Sequence, residues 1–128
     1  MRRRTKPDLV DHGLELLLSY NGHILYLDSG YHLKFEISRT QETEVRPHGL
    51  SYSLSLHDRS KRRVLGFDNA HRVKPPGRNA RATRTHDHWH RHASDKGRPY
   101  EYIDAATLVT DFFVEARQYL SKKGSSWM

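Results

Sequence analysis

Two stretches of this chain alternate apolar and polar residues without a break, and that regularity constrains the fold more than any other feature. Residues 31–39 place Tyr31, Leu33, Phe35 and Ile37 at every second position, with His32, Lys34, Glu36 and Ser38 between them. Residues 50–57 repeat the pattern, setting Leu50, Tyr52, Leu54 and Leu56 against Ser51, Ser53, Ser55 and His57. Successive side chains of an extended strand point to opposite faces, so each stretch has one face for a core and one for solvent. One-sided strands of this kind belong to antiparallel sheets. Polar residues 58–63 read as a hairpin connection into Val64-Leu65-Gly66-Phe67, which makes 63–68 a third strand.

The flanks are read from the same rules. Residues 14–18 and 23–27 are expected to supply one or two further strands, with Asn21-Gly22 as a tight turn between them and Asp28-Ser29-Gly30 as the turn that follows. A helix beginning at Leu14 is the competing reading. Tyr100-Glu101-Tyr102-Ile103 is expected to be a last short strand. Asp104 then has the position of an N-cap, a carboxylate set where backbone amides lack partners. From there to about Ser121, Ala105, Leu108, Val109, Phe112, Ala116, Tyr119 and Leu120 make one apolar stripe, and Lys122, Lys123 and Gly124 close the helix. The expected fold is α+β: a meander-like antiparallel sheet with a C-terminal helix packed on its apolar face.

At 128 residues the chain is expected to form a single domain, with residues 1–12 a flexible basic terminus and 70–96 a basic, histidine-rich loop. No cysteine occurs, which excludes disulfides and thiolate metal sites. Neither a signal peptide nor an apolar span of membrane length is visible, so the expected location is the cytoplasm, with no membrane partner. Net charge is +7, and its placement is uneven. Residues 59–98 hold twelve Lys and Arg against three Asp, while the rest of the chain is slightly acidic. Positive charge this concentrated is the footprint of a phosphate-bearing partner such as RNA, with a cationic solubilising loop as the plainer alternative. Arg72, Lys74, Arg78, Arg81, Arg84, Arg91 and Arg98 are the candidate nucleic-acid contacts.

Inside that segment lies His86-Asp87-His88-Trp89-His90-Arg91-His92. If it is extended, four imidazoles share one face and Asp87, Trp89 and Arg91 share the other. Trp89 is then expected to be a packing residue. Imidazole exchanges protons near neutral pH and is also the commonest metal ligand. RNA cleavage without metal needs a base for the 2′-hydroxyl, an acid for the leaving oxygen and cations for the phosphate charge. His88 and His90 are the candidate pair, with Asp68 or Asp87 to orient an imidazole, Asn69 beside them, and Arg91 and Arg98 to hold phosphate. No cofactor is called for. The His-x-His spacing also offers two zinc ligands with a third needed from elsewhere, so metal binding stays open. His12, His23, His32, His48 and His57 are scattered, and solvent-facing strand positions account for most of them. Two alternatives to a ribonuclease remain: a nucleic-acid-binding module without catalysis, and a metal-dependent hydrolase.

Taken in order, Glu15-Leu16-Leu17-Leu18, Asp28-Ser29-Gly30, Phe67-Asp68-Asn69, Asp87-His88-Trp89-His90, Arg98-Pro99-Tyr100 and Asp111-Phe112-Phe113 resemble the TumE family of small bacterial toxins from toxin–antitoxin pairs. The likeness spans about residues 14–120. It implies a toxin restrained by a cognate antitoxin protein, and by motif it carries over Asp68, Asn69, Asp87, His88, His90 and Arg98. Typical members join the Asp-Asn and Asp-His-x-His motifs by a few residues, whereas here 70–86 intervene with a basic, proline-containing insertion.

Overall fold

The computed structural model describes residues 11–44, 46–69 and 87–125. The chain enters through helix α1 (His12–Ser19) and strand β1 (Ile24–Tyr26), then runs through β2 (His32–Arg39), β3 (Leu50–His57) and β4 (Arg63–Asp68). Two short strands follow, β5 (His88–His90) and β6 (Arg98–Pro99), and helix α2 (Ala105–Lys122) closes the order. Each strand pairs antiparallel with the next, so the six-stranded sheet is a simple meander, β1 through β6 in chain order. The class is α+β, as the alternation predicts.

Register carries the alternation across the sheet. Leu33 pairs with Leu56, Phe35 with Leu54 and Ile37 with Tyr52, and Leu54 and Leu56 continue into Phe67 and Leu65. All eight are buried. Both helices cover this apolar face. Phe112 of α2 meets Phe35 and Phe67 edge-on at 5.7 and 6.2 Å, beside buried Leu108, Ala116 and Leu120. Trp89 lies on the same side, stacked 5.7 Å from Phe67, which is the packing role its position predicts. Asp104 caps α2 by accepting the Thr107 amide at 2.7 Å. Gly124 ends it in the left-handed region (φ 72°), as Ser125 donates back to the Leu120 carbonyl.

Two local expectations are corrected. Residues 14–18 form a helix rather than a strand, because Asp11 accepts the Leu14 amide and α1 docks on α2. The approach is close: a Cβ on Gly13 would stand 2.8 Å from that of Ala106. Leu17 is buried while its neighbour Leu16 is 48% exposed, a one-sided pattern of helical rather than strand spacing. Asp11 and His12, grouped in sequence with the terminal segment, are thus the cap and first turn of α1. The second correction concerns 100–103, which is not a strand. The last strand is Arg98–Pro99, and after the Tyr100 amide bonds the Asp87 carbonyl the ladder stops. Proline supplies no amide at this edge, and the Tyr100 hydroxyl donates to Asp111 of α2 instead.

Candidate active site

The sheet face turned away from the helices is polar, and its register defines the candidate site. Asp68 faces Ser53 on one side and His88 on the other, while Gly66 lies between Ser55 and His90. His88 and His90 project to this same face, two residues apart on β5, as the alternate spacing predicts. Their ring centroids are 6.5 Å apart. Asp68 is only 4% exposed, and its Oδ2 receives both His90 Nε2 at 3.2 Å and Arg63 Nη1 at 3.3 Å. Arg63 reaches it by crossing Gly66: a Cβ there would be 3.2 Å from the Arg63 Cδ. The missing side chain at Gly66 is what lets a guanidinium from the start of β4 arrive beside a carboxylate at its end.

His90 is fixed from three directions. Its Nδ1 donates to the Asp95 carbonyl at 3.0 Å, its Nε2 meets Asp68, and Gly97 packs against the ring. A Cβ at Gly97 would stand 2.7 Å from His90 Cε1, and the residue's φ of 103° also favours glycine. Both ring nitrogens face oxygen acceptors, which fixes the orientation of the ring. The turn that delivers Asp95 is tied by its own carboxylate, which accepts the amides of Arg91 and Gly97. Those bonds, the Arg91 amide first, hold the Asp95 carboxyl down to about 2.

The remaining predicted residues lie elsewhere. Asp87 faces the helix side, buried, where it accepts the Tyr52 hydroxyl at 2.6 Å and His48 Nε2 at 3.0 Å. His48 Nδ1 accepts the Leu50 amide, so the proton on that neutral ring sits at Nε2 and points at Asp87. Burial, reinforced by Asp87, pushes the Tyr52 hydroxyl far up. Asn69, with no exposed surface, braces the start of β3: its amide donates to the Leu50 carbonyl and accepts the Tyr52 N–H. Arg91 and Arg98 gather around Asp95, with Nε at 3.5 and 4.0 Å. In register Arg98 stands opposite Trp89, and Arg91 lines a groove with Trp89, Glu115 and Tyr119, so neither joins the histidines. The row of four imidazoles reduces to two on the strand, since His92 is exposed in the turn after β5 and His86 lies outside the described residues. Arg72, Lys74, Arg78, Arg81 and Arg84 also lie outside them. Among the described residues no group of three or more His, Asp or Glu is placed to hold a metal ion.

Of the residues that hold this cluster in place, sequence reasoning passed over Arg63 and His48, along with Tyr52, Asp95 and Gly97. Arg63 was legible in principle, because the glycine between it and Asp68 clears its path. His48 was not, since its partner Asp87 stands 39 positions away.

Among the described residues no helix is long and apolar enough to cross a membrane. No curated protein and no solved structure matches the chain. The family model described as Toxin TumE matches residues 19–120, which takes in every strand, most of α2 and all of the Asp68–His88–His90 site. The chain therefore belongs to the TumE toxin family.

Proposed function

We propose that this toxin is a ribonuclease that works without metal, with His88 and His90 as its acid–base pair. The observation that carries the reading is the Arg63–Asp68–His90 cluster facing the polar side of the sheet with His88 adjacent. Cleavage would begin with attack of a 2′-hydroxyl on the neighbouring phosphorus, one imidazole taking its proton. The other imidazole would protonate the departing 5′-oxygen, leaving a cyclic phosphate and a free 5′-hydroxyl. His90, held between two acceptors, suits the acid, and His88 the base. Arg63 would meet the charge that builds on the phosphate, and Asp68 positions both His90 and Arg63. The basic 59–98 segment supports RNA as substrate through its charge, and Asn69 and Asp87 serve by holding the site's frame.

The reading places the protein in the cytoplasm, where RNA is found, with a cognate antitoxin protein to hold it in check. Its test is expression of wild type beside His88→Ala/His90→Ala in a bacterium, scoring growth and RNA integrity. Growth arrest with degraded RNA in wild type alone is expected, and cleavage by the purified protein should survive a chelator. Full toxicity of the double variant would overturn the assignment. Tight RNA binding without turnover would leave a binding module instead.

A further inference from the structure

The polar face of the sheet carries a second concavity at its other end, remote from Asp68. A pocket of about 390 Å³ lies where β1, β2 and β3 meet the β3–β4 turn, and it is lined by Tyr26, Lys34, Arg59 and Lys61 around a pair of histidines. Its cations are positioned. The Arg59 Nε donates to the Ser29 carbonyl at 2.6 Å, its stem lies across Gly30, and its guanidinium sits 5.6 Å over Tyr31. Lys61 occupies the left-handed region (φ 68°), the one described non-glycine residue to do so. The single carboxylate lining the pocket, Asp58, is turned to its own loop: it accepts the amides of Ser60 and Arg62 and pairs with the Arg62 guanidinium at 3.3 Å. Three cations therefore line a pocket whose one anion is already neutralised.

The aromatic part is equally specific. His32 and His57 stack face to face, 4.8 Å apart and nearly parallel. Ser55 and the Lys61 carbonyl hold the two nitrogens of His57 at 2.9 and 3.3 Å. Burial, first among the causes, lowers both rings from their ordinary value, so neither adds charge at neutral pH. Beside His32 stands Tyr26, 72% exposed at the pocket's mouth, a π-face offered to solvent. Cations around an exposed aromatic ring are the pairing that holds a nucleotide of a single strand, phosphate to the cations and base to the ring. His57 stands four positions along β3 from Ser53, the partner of Asp68, roughly 13 Å along the strand. Arg63, paired with His57 and reaching Asp68, lies between the two.

We infer that this pocket is a second RNA subsite, which takes a nucleotide of a single strand several positions from the one held at Asp68 and His90. It rests on the reading of the protein as a ribonuclease, and its test is separable from that reading. Full-length protein is titrated with a fluorescent, uncleavable 2′-O-methyl RNA oligonucleotide, comparing wild type with Tyr26→Ala and with Lys34→Gln/Lys61→Gly. Glycine at 61 suits the local backbone, so the charge is removed without disturbing the turn. The double variant should bind at least about tenfold more weakly, with a log–log salt dependence shallower by roughly 1.4, two cations at ~0.7 each. Tyr26→Ala should weaken binding and leave the salt slope unchanged. In wild type the imidazole NMR signals of His32 and His57 should move on adding RNA.

Unchanged affinity and slope in Lys34→Gln/Lys61→Gly overturn the subsite, whether or not wild type cleaves. Failure of wild type to bind the oligonucleotide overturns it as well. Weakened binding in the pocket variants of a protein that never cleaves RNA keeps the subsite and removes the ribonuclease reading.

Discussion

Single residues around Asp68 divide sharply between those on the polar face of the sheet and those that brace it from behind. Asp68 and Asn69 are neighbours, yet one meets Arg63 and His90 on the polar face and the other stitches β3 with both ends of its amide. Asn69→Ala should therefore cost roughly 1–3 kcal/mol in stability, from buried backbone groups left unpaired, and chemical denaturation measures it. Asp68→Asn removes the charge from a nearly buried carboxylate held by Arg63 and His90, so it should lower stability as well. On the ribonuclease reading it should also cut cleavage about a hundredfold or more. The stacked histidines give a pH signature. An unfolded chain binds protons near 6.5, whereas His32 and His57 in the fold resist them, His32 by burial and then by its stacked partner, His57 chiefly by burial. Their contribution is complete above about 6.5 and is lost as pH falls through it, because the unfolded state then takes up more protons. Melting temperature should decline between about pH 7.5 and 5, and more steeply for wild type than for His32→Gln/His57→Gln.

Among the elements, β2, β3, β4 and α2 stand where periodicity places them, since each carries enough residues for its repeat to be read. Phe112→Ala should cost roughly 3–5 kcal/mol, measurable by denaturant unfolding, because it empties the contact between α2 and both Phe35 and Phe67. The short elements were less legible, for separate reasons. In α1 three consecutive leucines, Leu16, Leu17 and Leu18, satisfy either a buried strand or a helix, and the Asp11 cap with the docking of Gly13 against Ala106 decides between them. Residues 100–103 have strand-like composition, yet the tyrosine that opens them is drawn to Asp111. The site was half legible. Alternation alone places His88 and His90 on one face, but the turn that grips His90 through Asp95 and Gly97 depends on backbone geometry that no spacing announces. The position of Arg98 opposite Trp89 was not legible, because β6 is too short to show its register in sequence.

At the scale of the whole molecule, the sheet separates an apolar face from a polar one, and α1 and α2 both cover the first. The basic segment 70–86 falls between residues that are themselves tied down. On one side of it Asn69 is bonded to β3 by amide and backbone, and Arg46 donates to its carbonyl. On the other, Asp87 is gripped by Tyr52 of the same strand and by His48. Asp68 and His88 are direct partners in the sheet, so whatever lies between them begins and ends at one place. On the ribonuclease reading, 70–86 should then be replaceable without loss of the chemistry. Its replacement by a short turn should leave the His90–Asp68 contact in place and change stability by no more than about 1 kcal/mol, since closure entropy grows only slowly with loop length. Affinity for RNA, if the basic insertion contributes to it, should fall while the cleavage step at saturating substrate does not. A segment that starts and stops at paired strand residues can change in length and charge without moving Asp68 against His88.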